Sequence, residues 1–254
     1  MIKGFLVDLD DTLLDFQHTQ LVALERVHAG FFAPFVGWER FFDEFRGINH
    51  HLWDMQSRGQ IGFDELRVQR FQRTIDRVIP AADVSATQIA AAYETAMGEV
   101  ATLLPGALQF LEAVRQRGHL AIVTNGLAVV QRSRLARCGI LSAADALFIS
   151  EETGYSKPDA RAFTEAARLL KCQPAECVVI GDSLTTDGLG AKNAGIEFWW
   201  LNLKSVTGDR AATIATREFR GLAAIVDHLQ LAHPFGISGS TSIARWMSDS
   251  CQPR

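Results

Sequence analysis

The chain opens Met1-Ile2-Lys3-Gly4-Phe5-Leu6-Val7-Asp8-Leu9-Asp10-Asp11-Thr12-Leu13-Leu14, and how this stretch is read decides the fold. From Ile2 to Leu9 the residues are almost all apolar, β-branched or aromatic up to Asp8, the pattern of a strand buried on both faces in a parallel sheet. Parallel sheets gather their functional groups at the carboxyl ends of their strands. Here that end carries Asp8, Asp10 and Asp11.

Beyond this strand the spacing changes. Leu21, Leu24, Val27, His28, Phe31 and Phe32 recur at helical intervals, and Trp38, Phe41, Phe42 and Phe45 repeat i, i+3, i+4, i+7. Two more helices are expected, at Phe63 to Val78 and after Ser85-Ala86-Thr87-Gln88, which has the form of a capping box. No strand pattern occurs between Leu14 and Leu104. After Pro105-Gly106 the chain takes up a βαβ rhythm: helix Ala107 to Arg117, strand His119 to Thr124, helix Val129 to Cys138 closed by Gly139, strand Ala146 to Ser150. A helix opened by Pro158, strand Cys177 to Ile180, a short helix to Gly195, strand Ile196 to Leu201, a weaker strand Thr213 to Phe219 and a helix Leu222 to Leu231 follow. The expected fold is α/β, a three-layer Rossmann-like parallel sheet formed by residues 1–15 and 103–232, with an α-helical bundle, residues 16–102, inserted as a cap. Residues 233–254 turn to Gly and Ser and read as a disordered tail.

Composition bounds the function. With 254 residues, 48% hydrophobic and 21% charged, this is ordinary globular material. A net charge of −4 gives no basic excess to reward binding to nucleic acid polymers or anionic membranes. Gly118 to Gln131, although free of charged side chains, is only 14 residues long and includes His119, Thr124, Asn125 and Gln131, so it cannot span a bilayer. Asp8 interrupts the N-terminus before a signal-peptide core can form, so a cytoplasmic address is expected. Four cysteines without a C-x-x-C read as reduced thiols. Nothing in the pattern chooses between monomer and homodimer.

The strand ends converge chemically. The first ends in Asp8-Leu9-Asp10, another in Thr124-Asn125-Gly126, and a third in Gly181-Asp182-Ser183 with Asp187 five residues past Asp182; Lys157 precedes Pro158. Carboxylates gathered at one point repel unless a cation is present, and oxygen ligands suit Mg2+. Lys157, the Thr124 hydroxyl and the backbone N–H groups after it suit phosphate oxygens. Those parts describe phosphoryl transfer to or from a small soluble phosphate ester.

Taken in order, Asp8-Leu9-Asp10-Asp11-Thr12, Thr124-Asn125-Gly126, Ser156-Lys157-Pro158-Asp159 and Gly181-Asp182-Ser183-Leu184-Thr185-Thr186-Asp187 resemble the four motifs of the haloacid dehalogenase-like superfamily. The likeness extends to about residue 231, and a helical insertion between the first two motifs resembles the subfamily with a helical C1 cap. Leu52-Trp53, Gly59-Gln60-Ile61, Arg70-Phe71 and Ile149-Ser150-Glu151-Glu152 are similar to its pyrimidine 5′-nucleotidase-like branch. The resemblance implies that Asp8 is the nucleophile and forms an aspartyl-phosphate, and that Asp10 is general acid and then base. It implies Mg2+ held by the Asp8 carboxylate, the Asp10 backbone carbonyl and Asp182, with Asp187 orienting Lys157. Thr124, Asn125 and Lys157 then bind the phosphoryl group. An acid at position 10 favours phosphatase over dehalogenase, because an alkoxide leaving group needs a proton and a halide does not.

The expected activity is thus a Mg-dependent phosphomonoesterase acting on a nucleoside 5′-monophosphate, with a sugar-phosphate phosphatase as the near alternative. A haloacid dehalogenase and a non-catalytic binding protein are more remote. Asn49, His50 and Trp53, placed at a helix junction, are the candidate substrate contacts of the cap. Its phenylalanines, nine of the sixteen in the chain between Phe16 and Phe71, read as core. Arg67 and Arg70 are matched either to a base, to a second phosphate or to Asp64 and Glu65 on their own helix.

Overall fold

A computed structural model of the protein describes residues 1–207 and 213–231. The segment read as a tail, 233–254, lies outside these residues. Along the chain run β1 (Gly4–Val7), α1 (Phe16–Val27), α2 (Trp38–Ser57), α3 (Phe63–Val78), α4 (Ala86–Glu99), α5 (Ala107–Arg115), β2 (His119–Thr124), α6 (Ala128–Arg137) and β3 (Ala146–Ile149). Then come α7 (Ser150–Thr153), α8 (Ala160–Leu169), β4 (Cys177–Gly181), α9 (Leu189–Ala194), β5 (Glu197–Leu201), β6 (Arg217–Phe219) and α10 (Leu222–Leu231). The chain divides into two compact units, one of Met1–Asp15, Thr102–Gly126 and the residues from Leu135 on, the other of Phe16–Ala101 with Leu127–Arg134.

In the first unit the strands form one sheet in the order β3-β2-β1-β4-β5-β6, every pairing parallel. The α/β fold expected from the sequence is the one observed. The chain leaves β1 toward β2 and β3, then returns to β4 on the other side of β1. The crevice beyond the carboxyl ends of β1 and its neighbours is the usual place for a ligand in such a sheet.

Both faces of the sheet are covered, which is why its strands lack polar alternation. Phe5, Val7, Leu120, Ile122, Val178, Ile180, Trp199 and Leu201 pack with Phe110 and Val114 of α5 and Ile225 of α10. Leu6, Ala121, Val123, Val179, Phe198 and Trp200 point the other way, against Phe163 and Ala166 of α8 and Ala191 of α9. Trp199 and Trp200, adjacent on β5, are thus core residues on opposite faces.

The second unit is helical. Its core is a chain of rings: Phe32 lies 4.5 Å from Phe41, Phe45 lies 5.2 Å from Phe71, and Phe71 lies 5.4 Å edge-on from Tyr93. Helix α4 begins where expected, with the Ser85 side chain accepting from the Gln88 N–H. Among the described residues no helix is long and apolar enough to cross a membrane.

Several local expectations are corrected. The first strand ends at Val7, because the Leu13 and Leu14 N–H groups bond to the Leu9 carbonyl and close a turn there. Asn49, His50 and Trp53 do not sit at a helix junction but within the single 20-residue helix α2, whose apolar rhythm continues through Leu52. Pro158 does not open α8. Asp159 caps it by accepting from the Arg161 N–H, which places the proline one residue before the cap. Ser150, read as the last strand residue, begins α7, and only Arg217–Phe219 of the stretch 213–219 is strand.

Candidate active site

Asp8 is the first residue past β1, and its N–H bonds to the Ile180 carbonyl of β4, which ties it to the centre of the sheet. Both of its carboxylate oxygens are engaged. Oδ2 accepts from the Thr12 hydroxyl at 2.9 Å, and Oδ1 accepts from Lys157 Nζ. Lys157 comes from the loop before α8, and its ammonium also donates to the Val123 carbonyl at 3.0 Å and lies 2.7 Å from Asp187 Oδ1. Asp8, Lys157 and Asp187 are all buried.

The loop after β4 supplies the remaining acids. The Asp182 carbonyl accepts from Trp200 Nε1 at 2.8 Å, which anchors its backbone while the residue stays partly exposed. Asp187, in the turn Leu184–Gly188, accepts the Ser183 N–H through Oδ2 at 3.2 Å. Oxygens of Asp8, Asp182 and Asp187 lie within 4.8 Å of one another.

Electrostatics follow from this crowding. Burial pushes the Asp8 carboxyl well above its ordinary value, opposed by Lys157 and reinforced by Asp187 and Asp182. Burial, then Asp187 and Asp11, push Asp182 up to about 7. For Lys157 burial alone lowers the pKa, but the carboxylates of Asp187 and Asp8 outweigh it and hold the ammonium protonated. Three carboxylates against one ammonium leave two negative charges when all are ionised. An all-oxygen donor set with that surplus fits a hard divalent cation such as Mg2+.

The chain matches a family model described as haloacid dehalogenase-like hydrolase over residues 2–195. It belongs to that family. The pyrimidine 5′-nucleotidase YjjG of Escherichia coli (strain K12) is 32% identical over 196 residues, 77% of this chain and 84% of that protein. A glyceraldehyde 3-phosphate phosphatase of Methanopyrus kandleri is 33% identical over 200 residues, 77% of this chain and 82% of that protein. Among solved structures, the HAD-hydrolase YfnB from Bacillus subtilis bound to magnesium superposes with a TM-score of 0.77 at 27% identity, covering 90% of this chain and 98% of that one. The protein is a phosphatase-class hydrolase of the haloacid dehalogenase-like family.

The other residues singled out in the sequence fall as follows. Thr124 is buried at the end of β2. Both ends of the Asn125 amide are taken by the Lys157 backbone, with Nδ2 donating to its carbonyl at 2.9 Å and Oδ1 accepting its N–H at 2.8 Å. Asn125 therefore holds the loop that presents Lys157. Asp10 lies in the turn after β1 and is partly exposed. In the helical unit Asn49 is buried, His50 is exposed, and Trp53 meets the edge of Phe63.

Two residues of this haloacid dehalogenase-like site were missed. Thr12, four residues past Asp8, orients the carboxylate, and its place in D-x-D-x-T was the available signal. Gly181 is the second. A Cβ there would lie 2.3 Å from Asp187 Oδ2 and 2.5 Å from its Cγ, so only glycine lets Asp187 reach Lys157. Only the approach of the Leu184–Gly188 turn reveals that need.

Proposed function

We propose that the protein is a Mg2+-dependent phosphomonoesterase that hydrolyses a nucleoside 5′-monophosphate through an aspartyl-phosphate on Asp8. The observation that carries this reading is the buried carboxylate of Asp8, oriented through one oxygen by Thr12 and through the other by Lys157, beside two further acids. An Asp8 oxygen attacks phosphorus, and the bond from phosphorus to the ester oxygen breaks as Asp10 gives that oxygen a proton. Asp10, now a carboxylate, takes a proton from the water that attacks the acyl-phosphate, which frees phosphate and restores Asp8. Lys157 neutralises phosphoryl oxygens, and Asp187 and Asn125 hold Lys157 in place, by its ammonium and by its backbone. Thr124, at the end of β2, is the further phosphate ligand. Asp8 and Asp182, with the Asp10 carbonyl, would hold Mg2+, which when bound offsets the charge of the carboxylates and of the phosphoryl group. Residues 16–102 serve as the cap that selects the leaving group.

The nucleotide assignment is supported by relatives named as pyrimidine 5′-nucleotidases in Escherichia coli and Streptococcus pneumoniae, the second 32% identical over 79% of this chain. A sugar-phosphate substrate is the second reading, favoured by the Methanopyrus kandleri relative. Comparing kcat/KM across a panel of phosphate esters, with Mg2+ and with chelator, tests both. Nucleotides ranking below sugar phosphates would overturn the first reading and leave the phosphatase intact. Full Mg2+-dependent activity in the Asp8→Asn protein would falsify the nucleophile.

A further inference from the structure

Ser150 opens the Ser-Glu-Glu run that follows β3, and its hydroxyl meets a backbone group far from it in sequence. The pairing of β2 with β3 sets Thr124 beside Ile149, so the residues just past the two strands run side by side. There the Gly126 N–H donates to Ser150 Oγ at 3.1 Å, and both residues are buried. One residue earlier, the Asn125 amide holds the Lys157 backbone, at 2.9 Å from its carbonyl and 2.8 Å from its N–H. Consecutive residues of the loop after β2 are thus tied to the two ends of the segment 150–157. Between these ties the segment closes on itself, with the Gly154 N–H donating to the Ser150 carbonyl at 2.9 Å.

A buried hydroxyl costs stability unless it is hydrogen-bonded, and a position this buried with no use for one is better filled by alanine. The use here is specific. The Gly126 N–H, one of the backbone groups expected from the sequence to meet a phosphate oxygen, is engaged by Ser150 instead. That bond fixes the far side of the turn that presents Thr124 and the Asn125 backbone. A turn already held in shape binds a small anion without first being ordered, whereas a loose one pays that ordering on every encounter.

We propose that Ser150 is a positioning residue for phosphoryl binding, which acts through the Gly126 N–H to hold the Thr124–Gly126 turn in the shape that meets the phosphoryl group. This inference rests on the reading above, in which Thr124 and Lys157 bind that group. Its test uses Ser150→Ala, which removes one oxygen and places a better helix former at the start of α7, so the variant folds. Thr216→Val is the control, because it removes a hydroxyl that likewise accepts a backbone N–H at 3.1 Å, that of Phe198 near the start of β5. The quantities measured are kcat and KM for p-nitrophenyl phosphate with Mg2+ added, Ki for inorganic phosphate, and Tm. In Ser150→Ala, Ki and KM should rise together by roughly fivefold or more, the worth of one hydrogen bond. The change in kcat should be smaller, because Lys157 keeps its carboxylate partners and the lost contact serves ground state and transition state alike. Thr216→Val should lower Tm to a similar degree and leave Ki and KM within about twofold of wild type. If Ki and KM in Ser150→Ala stay within about twofold of wild type, or if Thr216→Val reproduces their rise, the inference is overturned and the phosphatase reading stands. A wild type that neither hydrolyses the ester nor is inhibited by phosphate overturns that reading, and the inference with it.

Discussion

Gly181→Ala is the perturbation whose consequence the structure defines most closely. The added Cβ would stand 2.3 Å from Asp187 Oδ2, 2.5 Å from Cγ and 2.8 Å from Cβ, where carbon contacts normally need about 3.5–4.0 Å. Relief requires Asp187 to retreat by roughly 1 Å, given those contact distances. Asp187 is 1% exposed and held on both sides, by the Ser183 N–H at 3.2 Å and by Lys157 at 2.7 Å. Overpacking of this kind costs about 1–3 kcal/mol. The Lys157 ammonium loses the alignment of one of its two carboxylates, and a misplacement near 1 Å in a catalytic group lowers kcat by about a hundredfold. Chemical denaturation measures the first quantity and hydrolysis of p-nitrophenyl phosphate, assayed with Mg2+ added, the second. A double-mutant cycle with Asp187→Gly separates cause from coincidence, because removing the Asp187 side chain removes the clash, and the stability cost of Gly181→Ala should then largely vanish. If Gly181→Ala alone leaves stability within about 0.5 kcal/mol and kcat within twofold, the close approach does not position Lys157 and the reasoning is refuted.

Other outcomes are expected. Thr12→Val removes the buried hydroxyl bond to Asp8 Oδ2 and should cost about 1 kcal/mol of stability, read by urea denaturation, with a larger proportional loss in kcat than in KM. Millimolar Mg2+ should raise the apparent Tm and chelator should lower it, by about 2.7 kcal/mol of stabilisation at a hundredfold excess over Kd; Asp182→Asn should shrink that shift. Burial, with Cys172 beside it, pushes the Cys177 thiol up to about 12, so it stays protonated and unreactive at pH 8. Iodoacetamide and peptide mass spectrometry on the native protein should find Cys138, which is partly exposed, modified well before Cys177. Because the unfolded thiol ionises at lower pH than the folded one, any contribution of Cys177 to stability declines as pH rises above about 9.

Much of the site was legible because its parts are local. Asp8 and Asp10 follow a strand that only a doubly covered sheet can accommodate, and Asp182 follows another. The resemblance of the four motifs to a known superfamily then supplied an order of roles that spacing alone does not provide. Less legible were the residues whose function depends on a neighbour far along the chain. Asn125 reads as a phosphate ligand until both ends of its amide are found on the backbone of Lys157, 32 residues away.

The sequence by itself determined the layer architecture, since short continuous apolar runs and apolar spacing of period 3.6 can each be buried in only a few ways, and it determined which strand ends carry acid. The tertiary structure decided how those ends are used. The order β3-β2-β1-β4-β5-β6 sets β1 between β2 and β4, and that adjacency brings Asp8, Lys157, Asp182 and Asp187 together. Burial, reinforced by charge at that density, raises carboxylate pKa values, while the carboxylates hold a lysine protonated and suit a divalent cation. Such effects depend on distance and burial, which no linear spacing of residues specifies.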